Sequence, residues 1–274
     1  MNIIGRCVRI TGIVFICFIA IIPFYVLVFF SLNAPPRVFY EGNIIIPDFY
    51  FNNFTEAWVS SNIGRAILNS VIITGGSLLL LIILSSSAGY TIARFKNKFN
   101  KTVFTVLLTC MMIPGIINTV PLYTVMRSIG GINTRIGMIL VCTTNALPFS
   151  VFLYSSFISS LSREIEESAI IDGCTWFKAF WKITFHYVKP VTAAVVILNG
   201  VSIWNNYAQA VFFLTKRDMY TIPIALSIYF QQYAGAKWNL MAAAAVLGVI
   251  PVVTVFLLFQ KYFMKGITAG ALKG

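Results

Sequence analysis

Six long apolar runs set the pattern of the chain, at about residues 10–32, 63–93, 102–125, 136–158, 191–214 and 239–259. Each is long enough to cross the hydrocarbon core of a bilayer as an α-helix, which takes roughly 20 residues. Inside lipid a segment must satisfy its own backbone polar groups, so isolated runs of this length predict helices rather than open strands. The expectation is an all-α polytopic membrane protein with six transmembrane helices joined by short loops. The first run is too long, and its flanks too bulky, for a cleaved signal peptide, so it counts as a span.

Several runs carry interruptions. Gly75-Gly76 gives the second a point of close helix approach or bending. Pro114-Gly115 and Pro121 break the third, and Asn145 with Pro148 lies in the fourth. Backbone groups freed by such breaks must be satisfied against protein or water, so the third run either lines a path or is a kink packed against its neighbours. The fifth carries Asn199, Trp204, Asn205, Asn206 and Gln209. These are candidate pore-lining residues, and for Asn199, Asn205, Asn206 and Gln209 hydrogen bonding from helix to helix is the favoured alternative.

Between the fourth and fifth runs lies a polar island, residues 161–190, with Glu164, Glu166, Glu167 and Asp172, half of the chain's eight acids. Ser162 is placed to cap a helix whose first turn holds Glu164, where acidic groups suit the positive end of the dipole. Asp172-Gly173 ends that helix, because Gly adopts the left-handed conformation that other residues avoid. A second short helix starts at Thr175 and presents Phe177, Phe180 and Trp181 as an aromatic face. Two short helices about a Gly turn make a docking element for another protein. The bland alternatives are a solvated glutamate face and an aromatic face resting in the lipid interface.

Composition narrows the class. With 58% hydrophobic and 10% charged residues and a mean hydropathy of +0.85, a soluble domain is excluded. The net charge of +12 does not mark a nucleic-acid binder, because the basic residues sit at span ends rather than along one face. Thirteen Lys and Arg fall at the N-terminus, in 94–101, in 161–190 and in the C-terminal tail, against six on the other side. The densest cluster is Arg94, Lys96, Lys98 and Lys101, and the positive-inside rule therefore places both termini in the cytoplasm. The five Cys show no paired spacing, and His186, the single His, lacks a ligand or acid–base pattern around it.

All eight Asp and Glu fall in loops. Ion-driven carriers often hold ionisable groups at membrane depth, and the chain has no convincing internal repeat of the carrier kind. An ion-driven secondary carrier of a small neutral solute is thus the alternative reading rather than the first. A membrane enzyme would need clustered ionisable residues facing a cavity, and the runs offer none. No Gly-Lys pair occurs, so no phosphate-binding loop of the GxxxxGK[ST] kind is present. Energy must come from a separate subunit, and residues 161–190 are the natural place to receive it.

These residues also carry a family resemblance. EESAIIDG followed by KITFHYVKP resembles the cytoplasmic loop of ABC importer permeases, E-A-A, three residues, G, nine residues, I-x-L-P. Glu167, Ala169, Gly173 and Ile183 match, whereas Ser168, Phe185 and His186 replace Ala, Leu and Pro. His186 is the substantial departure, since Pro would fix the backbone where the loop re-enters the next span, and Pro190 stands four residues later. Ser202, Trp204, Asn205 and Tyr207 resemble the S-W-N-D-F region of the maltose-type, carbohydrate branch, with Asn206 where Asp is common. The tail QKYFMKGITAGALKG looks like that branch's tail, and YTIARF at Tyr90 to Phe95 and VPLYT at Val120 to Thr124 agree upstream.

The resemblance implies a type I ABC importer permease fold, one permease domain over residues 1–274 with the 161–190 loop inside it, in a bacterial cell membrane. It implies half of a translocation pore for a carbohydrate, paired with a second, homologous permease and docked on an ABC ATPase dimer. ATP and Mg would be bound by that ATPase, with no cofactor, metal or catalytic residue on this chain, and an extracytoplasmic solute-binding protein would deliver the sugar. Glu167, Ser168, Ala169, Asp172, Gly173, Phe177, Phe180 and Ile183 would couple to the ATPase. Lys265, Gly266 and Lys273 of the tail would contact it, and residues 215–238, read as an outer loop, would face the binding protein.

Overall fold

The computed structural model describes residues 3–34, 46–60, 62–232 and 237–271. Its elements are all helical. In chain order they are α1 (Ile3–Ser31), α2 (Asn52–Ser60), α3 (Ile63–Arg94), α4 (Lys98–Met111), α5 (Thr119–Ser128), α6 (Arg135–Ser159) and α7 (Glu164–Ile171). Then come α8 (Trp176–Ala179), a π-helical turn (Phe180–Thr184), α9 (Phe185–Tyr187), α10 (Lys189–Trp204), α11 (Ala210–Phe213), a 3₁₀ turn (Arg217–Met219), α12 (Ile222–Gln232) and α13 (Trp238–Ala271).

Four stretches among the described residues are long and apolar enough to cross a membrane: Arg9–Ser31, Ile63–Arg94, Arg135–Ser159 and Trp238–Leu258. Lys189–Trp204 joins them as a fifth when taken with Trp176–Tyr187, from which it bends by 73°. Four of the six apolar runs therefore form single helices close to the expected bounds. The third does not: the helix stops at Met111 and resumes at Thr119, leaving pieces of 14 and 10 residues. Pro114 and Pro121 withhold the N–H groups that a continuous helix would use. The fifth is shorter than expected, ending at Trp204 rather than near Leu214. Residues 215–238, expected to be a loop, instead contain α12, whose IPIALSIYF core is as apolar as a span but too short to be one.

The chain forms two compact units, Met1–Ile67 with Ile224–Ile250 and Leu68–Pro223 with Pro251–Gly274. In the first, Ala57, Ile63, Tyr229, Leu240, Met241, Ala243 and Ala244 make a buried core. Buried amides hold its polar corner: Asn53 Nδ2 donates to the carbonyls of Ser31 and Asn33, and Asn239 Nδ2 donates to Asn53 Oδ1 at 3.2 Å. In the second, small residues let α3 and α6 approach closely. A Cβ on Gly89 would stand 2.6 Å from Tyr154 Cβ, and one on Gly76 would stand 2.7 Å from Ile139 Cδ1. Gly75 has open space around its Cα instead, so only one glycine of the pair serves close approach. The second unit's core gathers Leu81, Tyr90, Ala93, Tyr154, Ile158, Phe180, Val188, Val191 and Val195.

Candidate functional site: a helix–glycine–helix loop fastened to a membrane span

The 161–190 segment folds much as its sequence dictates. Ser162 Oγ accepts the Glu164 N–H at 3.3 Å at the head of α7. Gly173 ends α7 with φ +86°, and the N–H groups of Gly173 and Cys174 close onto Ile170 and Ala169 carbonyls. Thr175, in extended conformation, caps α8 by accepting the Lys178 N–H. The chain then passes through the π turn and α9, and re-enters at α10, where Pro190 occupies the first turn. His186 is exposed in α9 and adopts helical backbone, so the re-entry bend is made between Tyr187 and Lys189 rather than at the position where the resembling pattern has Pro.

The loop has two faces. Glu167, Ser168, Asp172 and Gly173 lie exposed on one, together with Ile171 at 85% and Phe177 at 73% exposure. Large apolar side chains held out of a polar segment in this way mark a surface built to be covered. Ala169, Ala179 and Phe180 are buried on the other, and Ile183 is half-buried. The expected aromatic face is thus graded: Phe180 is buried with its ring 4.7 Å from that of Tyr90, Trp181 is partly buried beside it, and Phe177 is largely exposed with its ring edge-on to Trp181 at 6.3 Å. Trp176, which no sequence motif singles out, sets its ring 5.3 Å from that of Phe95 at the end of α3.

Glu166, which the sequence reading did not single out, rules out the alternative of a solvated glutamate face. Far from sharing a solvated face with its neighbours, it is 3% exposed. Arg94 Nε donates to its Oε2 at 2.9 Å and Arg94 Nη2 to its Oε1 at 2.8 Å. Tyr90 Oη donates to Oε2 at 3.3 Å and Thr184 Oγ1 to Oε1 at 3.0 Å. Each carboxylate oxygen therefore accepts two bonds, which is what a desolvated ion pair needs if attraction is to offset the loss of water. Arg94 also donates through Nη1 to the Leu161 carbonyl at 3.3 Å. The sequence holds the signal, since Arg94 lies within YTIARF and Glu166 opens EESAIIDG. Pairing the two across 72 positions is beyond what spacing alone reveals.

A second polar cluster forms where two spans are interrupted. Gln209 Oε1 accepts from Asn145 Nδ2 at 3.0 Å and from Asn206 Nδ2 at 3.2 Å. Its Nε2 donates to the Gly115 carbonyl at 3.2 Å, within the break between α4 and α5. Gln209 thus satisfies a backbone group that Pro114 and Gly115 expose, and joins α6, the break after α10 and the broken third run. Asn199 is buried and donates to Ser150 Oγ at 3.2 Å and to the Val195 carbonyl. Of the pore candidates Asn199, Asn206 and Gln209 are engaged helix to helix, while Asn205 is exposed. Trp204 is buried and lines an apolar cavity of about 180 Å³ with Thr74, Gly75, Gly200 and Pro251. Lys265 and Gly266 fall within α13, without described side chains, and Lys273 lies outside the described residues.

Comparison with known proteins identifies the family of the chain. Residues 82–269 match the family of binding-protein-dependent transport system inner membrane components. The melibiose/raffinose/stachyose import permease protein MelC of Bacillus subtilis is 41% identical over 92% of this chain and 91% of its own. The arabinooligosaccharides transport system permease protein AraQ of Halalkalibacterium halodurans is 31% identical over 96% of this chain and 95% of its own. Among solved structures, a bacterial ABC transporter that imports the acidic polysaccharide alginate superposes with a TM-score of 0.81 at 20% identity, over 96% of this chain and 99% of its own. With a family match across more than half its length and relatives aligned nearly end to end, the chain belongs to the binding-protein-dependent transport system inner membrane components, the multi-pass permeases of ABC importers.

Proposed function

We propose that this protein is one of two permease subunits of an ATP-driven, binding-protein-dependent importer of oligosaccharides, and that its 161–190 loop receives the motion of the ATPase. The observation that carries the reading is the two-faced loop: Glu167, Ser168, Asp172, Gly173 and Phe177 are exposed while Ala169, Ala179 and Phe180 anchor it. The exposed face seats in an ABC ATPase, one of a dimer that binds ATP and Mg. Nucleotide-driven closure of that dimer displaces the loop as a lever and turns the spans toward the outside.

Six spans complete the permease: α1, α3, the broken pair α4 and α5, α6, α10 and α13. Both termini are cytoplasmic, as the concentration of Lys and Arg on that side supports. The tail, with Lys265, Gly266 and Lys273, reaches the ATPase interface, and the 215–238 segment meets the extracytoplasmic binding protein. The relation to MelC, at 41% identity, favours α-galactoside oligosaccharides as cargo.

The test is uptake in cells that express this chain with its own partner subunits. Labelled melibiose, raffinose and stachyose are expected to enter when ATP is available and an uncoupler is present, and to be excluded after ATP depletion. Uptake that collapses with the uncoupler and survives ATP depletion would sink this reading and favour an ion-driven carrier. Purification through a tag is expected to bring down a P-loop ATPase and a second permease. Gly173→Pro or Glu167→Lys is expected to abolish uptake while leaving the chain in the membrane.

A further inference from the structure

We infer that the Arg94–Glu166 pair is the joint through which the loop drives the membrane spans, with Arg94 and Glu166 acting as positioning residues for coupling. The inference rests on the lever reading above and specifies where the lever is attached. Glu166 stands in the first turn of α7, immediately before the exposed Glu167, and Arg94 is the last residue of α3, a 32-residue helix. One bidentate ion pair, both side chains 4% exposed, therefore ties the first turn of the loop to the end of a membrane-spanning helix.

Every other contact at this joint reinforces the same two bodies. Tyr90, one turn back on α3, bonds to the Glu166 carboxylate and stacks on Phe180. Phe95 packs edge-on against Trp176. Thr184, in the π turn after α8, closes onto Glu166 from the far end of the loop, so the carboxylate is shared by α3, α7 and the second half of the loop at once. Arg163, just ahead of α7, donates to the Arg94 carbonyl at 3.5 Å. A π turn widens the helix and re-aims the residues beyond it, and here both Phe180 at its start and Thr184 at its end are buried against the joint.

A planar guanidinium meeting a carboxylate edge to edge resists both sliding and rotation, unlike a single contact between point charges. Displacement of the exposed face is therefore passed to α3 without slack. Loosening the joint lets the loop move while α3 lags, so ATP is hydrolysed without sugar crossing. This is distinct from binding the ATPase, which the exposed face performs, and from shaping the sugar path.

The experiment uses the full complex in liposomes, with the ATPase, partner permease and binding protein of its own system, and reads ATP hydrolysed per sugar imported. Arg94→Gln and Glu166→Gln are each expected to raise that ratio at least tenfold while the complex still assembles and hydrolyses ATP. The exchange variant Arg94→Glu with Glu166→Arg is expected to restore at least part of the coupling. Arg94→Lys, which keeps the charge and loses the fork, is expected to fall between. Thr184→Val removes one bond to the carboxylate with little change in shape, and is expected to raise the ratio about twofold, so it carries the test if the charge variants fail to assemble. Unchanged ratios in the Gln variants or in Thr184→Val would overturn the joint. If the unmodified complex itself imports no sugar on ATP, the proposed function fails instead, so the two failures are told apart.

Discussion

Gly173 and Gly89 are required for different reasons, and substitution separates them. At φ +86° Gly173 occupies a conformation that costs most L-residues roughly 1–2 kcal/mol, and nothing lies within 4 Å of where its Cβ would be. Gly173→Ala is therefore expected to weaken the α7–α8 turn by about 1 kcal/mol and to reduce uptake, whereas Gly173→Pro, with φ fixed near roughly −65°, removes the turn altogether. Gly89→Ala meets the Tyr154 Cβ and, at 3.0 Å, the Ser155 backbone nitrogen, neither of which yields easily. It is expected to destabilise the protein by about 1–3 kcal/mol, the usual range for overpacking. Gly76→Ala meets the movable end of Ile139, so it is expected to cost less, and Gly75→Ala meets nothing. Thermal unfolding of the four alanine variants in detergent checks the ranking; equal melting points for Gly75→Ala and Gly89→Ala would contradict it.

Elements, more than single residues, show where sequence reading succeeds and where it stops. The helix–glycine–helix loop is legible at its Gly173 stop and its Thr175 cap, which act on backbone groups within a few residues. At the head of α7 the cap position is Arg163, and Ser162 accepts the Glu164 N–H from one residue before it. The break in the third run is legible from Pro114-Gly115, but its partner is not. Gln209 lies 94 positions away from the Gly115 carbonyl it satisfies, and nothing local in the sequence pairs them. The same holds for Glu166, which shares its local pattern with the exposed Glu167 and differs only in which side of α7 faces α3. Lys216, Arg217 and Asp218 give residues 215–238 the opening of a loop, which hides the 11-residue helix α12 beyond them. Gln209→Leu tests the polar cluster as an element: it strands the Gly115 carbonyl, Asn145 and Asn206 together. Gly115 and Asn145 are exposed and Asn206 half-buried, so water takes up the lost bonds and a net loss of about 1 kcal/mol is expected. Gln209→Glu keeps an acceptor for both Asn donors but cannot donate to Gly115 and sets a charge at a buried position, so it is expected to destabilise at least as much as Leu. Unfolding midpoints that match the unmodified protein for Gln209→Leu would remove the cluster from any account of how the broken run is held.

At the scale of the whole molecule the decisive quantity is the distribution of charge. Of the basic residues that end α3 and begin α4, Arg94 is matched by the buried acid Glu166, and Lys96, Lys98 and Lys101 stand exposed around Asn97. Moving exposed Lys96, Lys98 and Lys101 through hydrocarbon would cost each about 2.5–3.5 kcal/mol even on the lenient insertion scale. In the proposed topology that cost, with the positive-inside bias, keeps the loop side in the cytoplasm independently of what the loop later binds. In the proposed importer, topology and coupling use neighbouring residues for separate ends: Lys96, Lys98 and Lys101 set which side the loop is on, and Arg94 sets what it is fastened to. A membrane-impermeant thiol reagent applied to a chain freed of its five native cysteines discriminates the sides. Lys98→Cys and Ile171→Cys, both exposed, are expected to react only after the cells are opened, and Lys216→Cys is expected to react in intact cells. Labelling of Lys98→Cys from outside would invert the topology and with it the assignment of the loop to the ATPase. Labelling of Lys216→Cys from neither side would mean that the partner subunits cover the 215–238 segment, and the same reagent applied to the chain expressed alone distinguishes that shielding from burial within the chain itself.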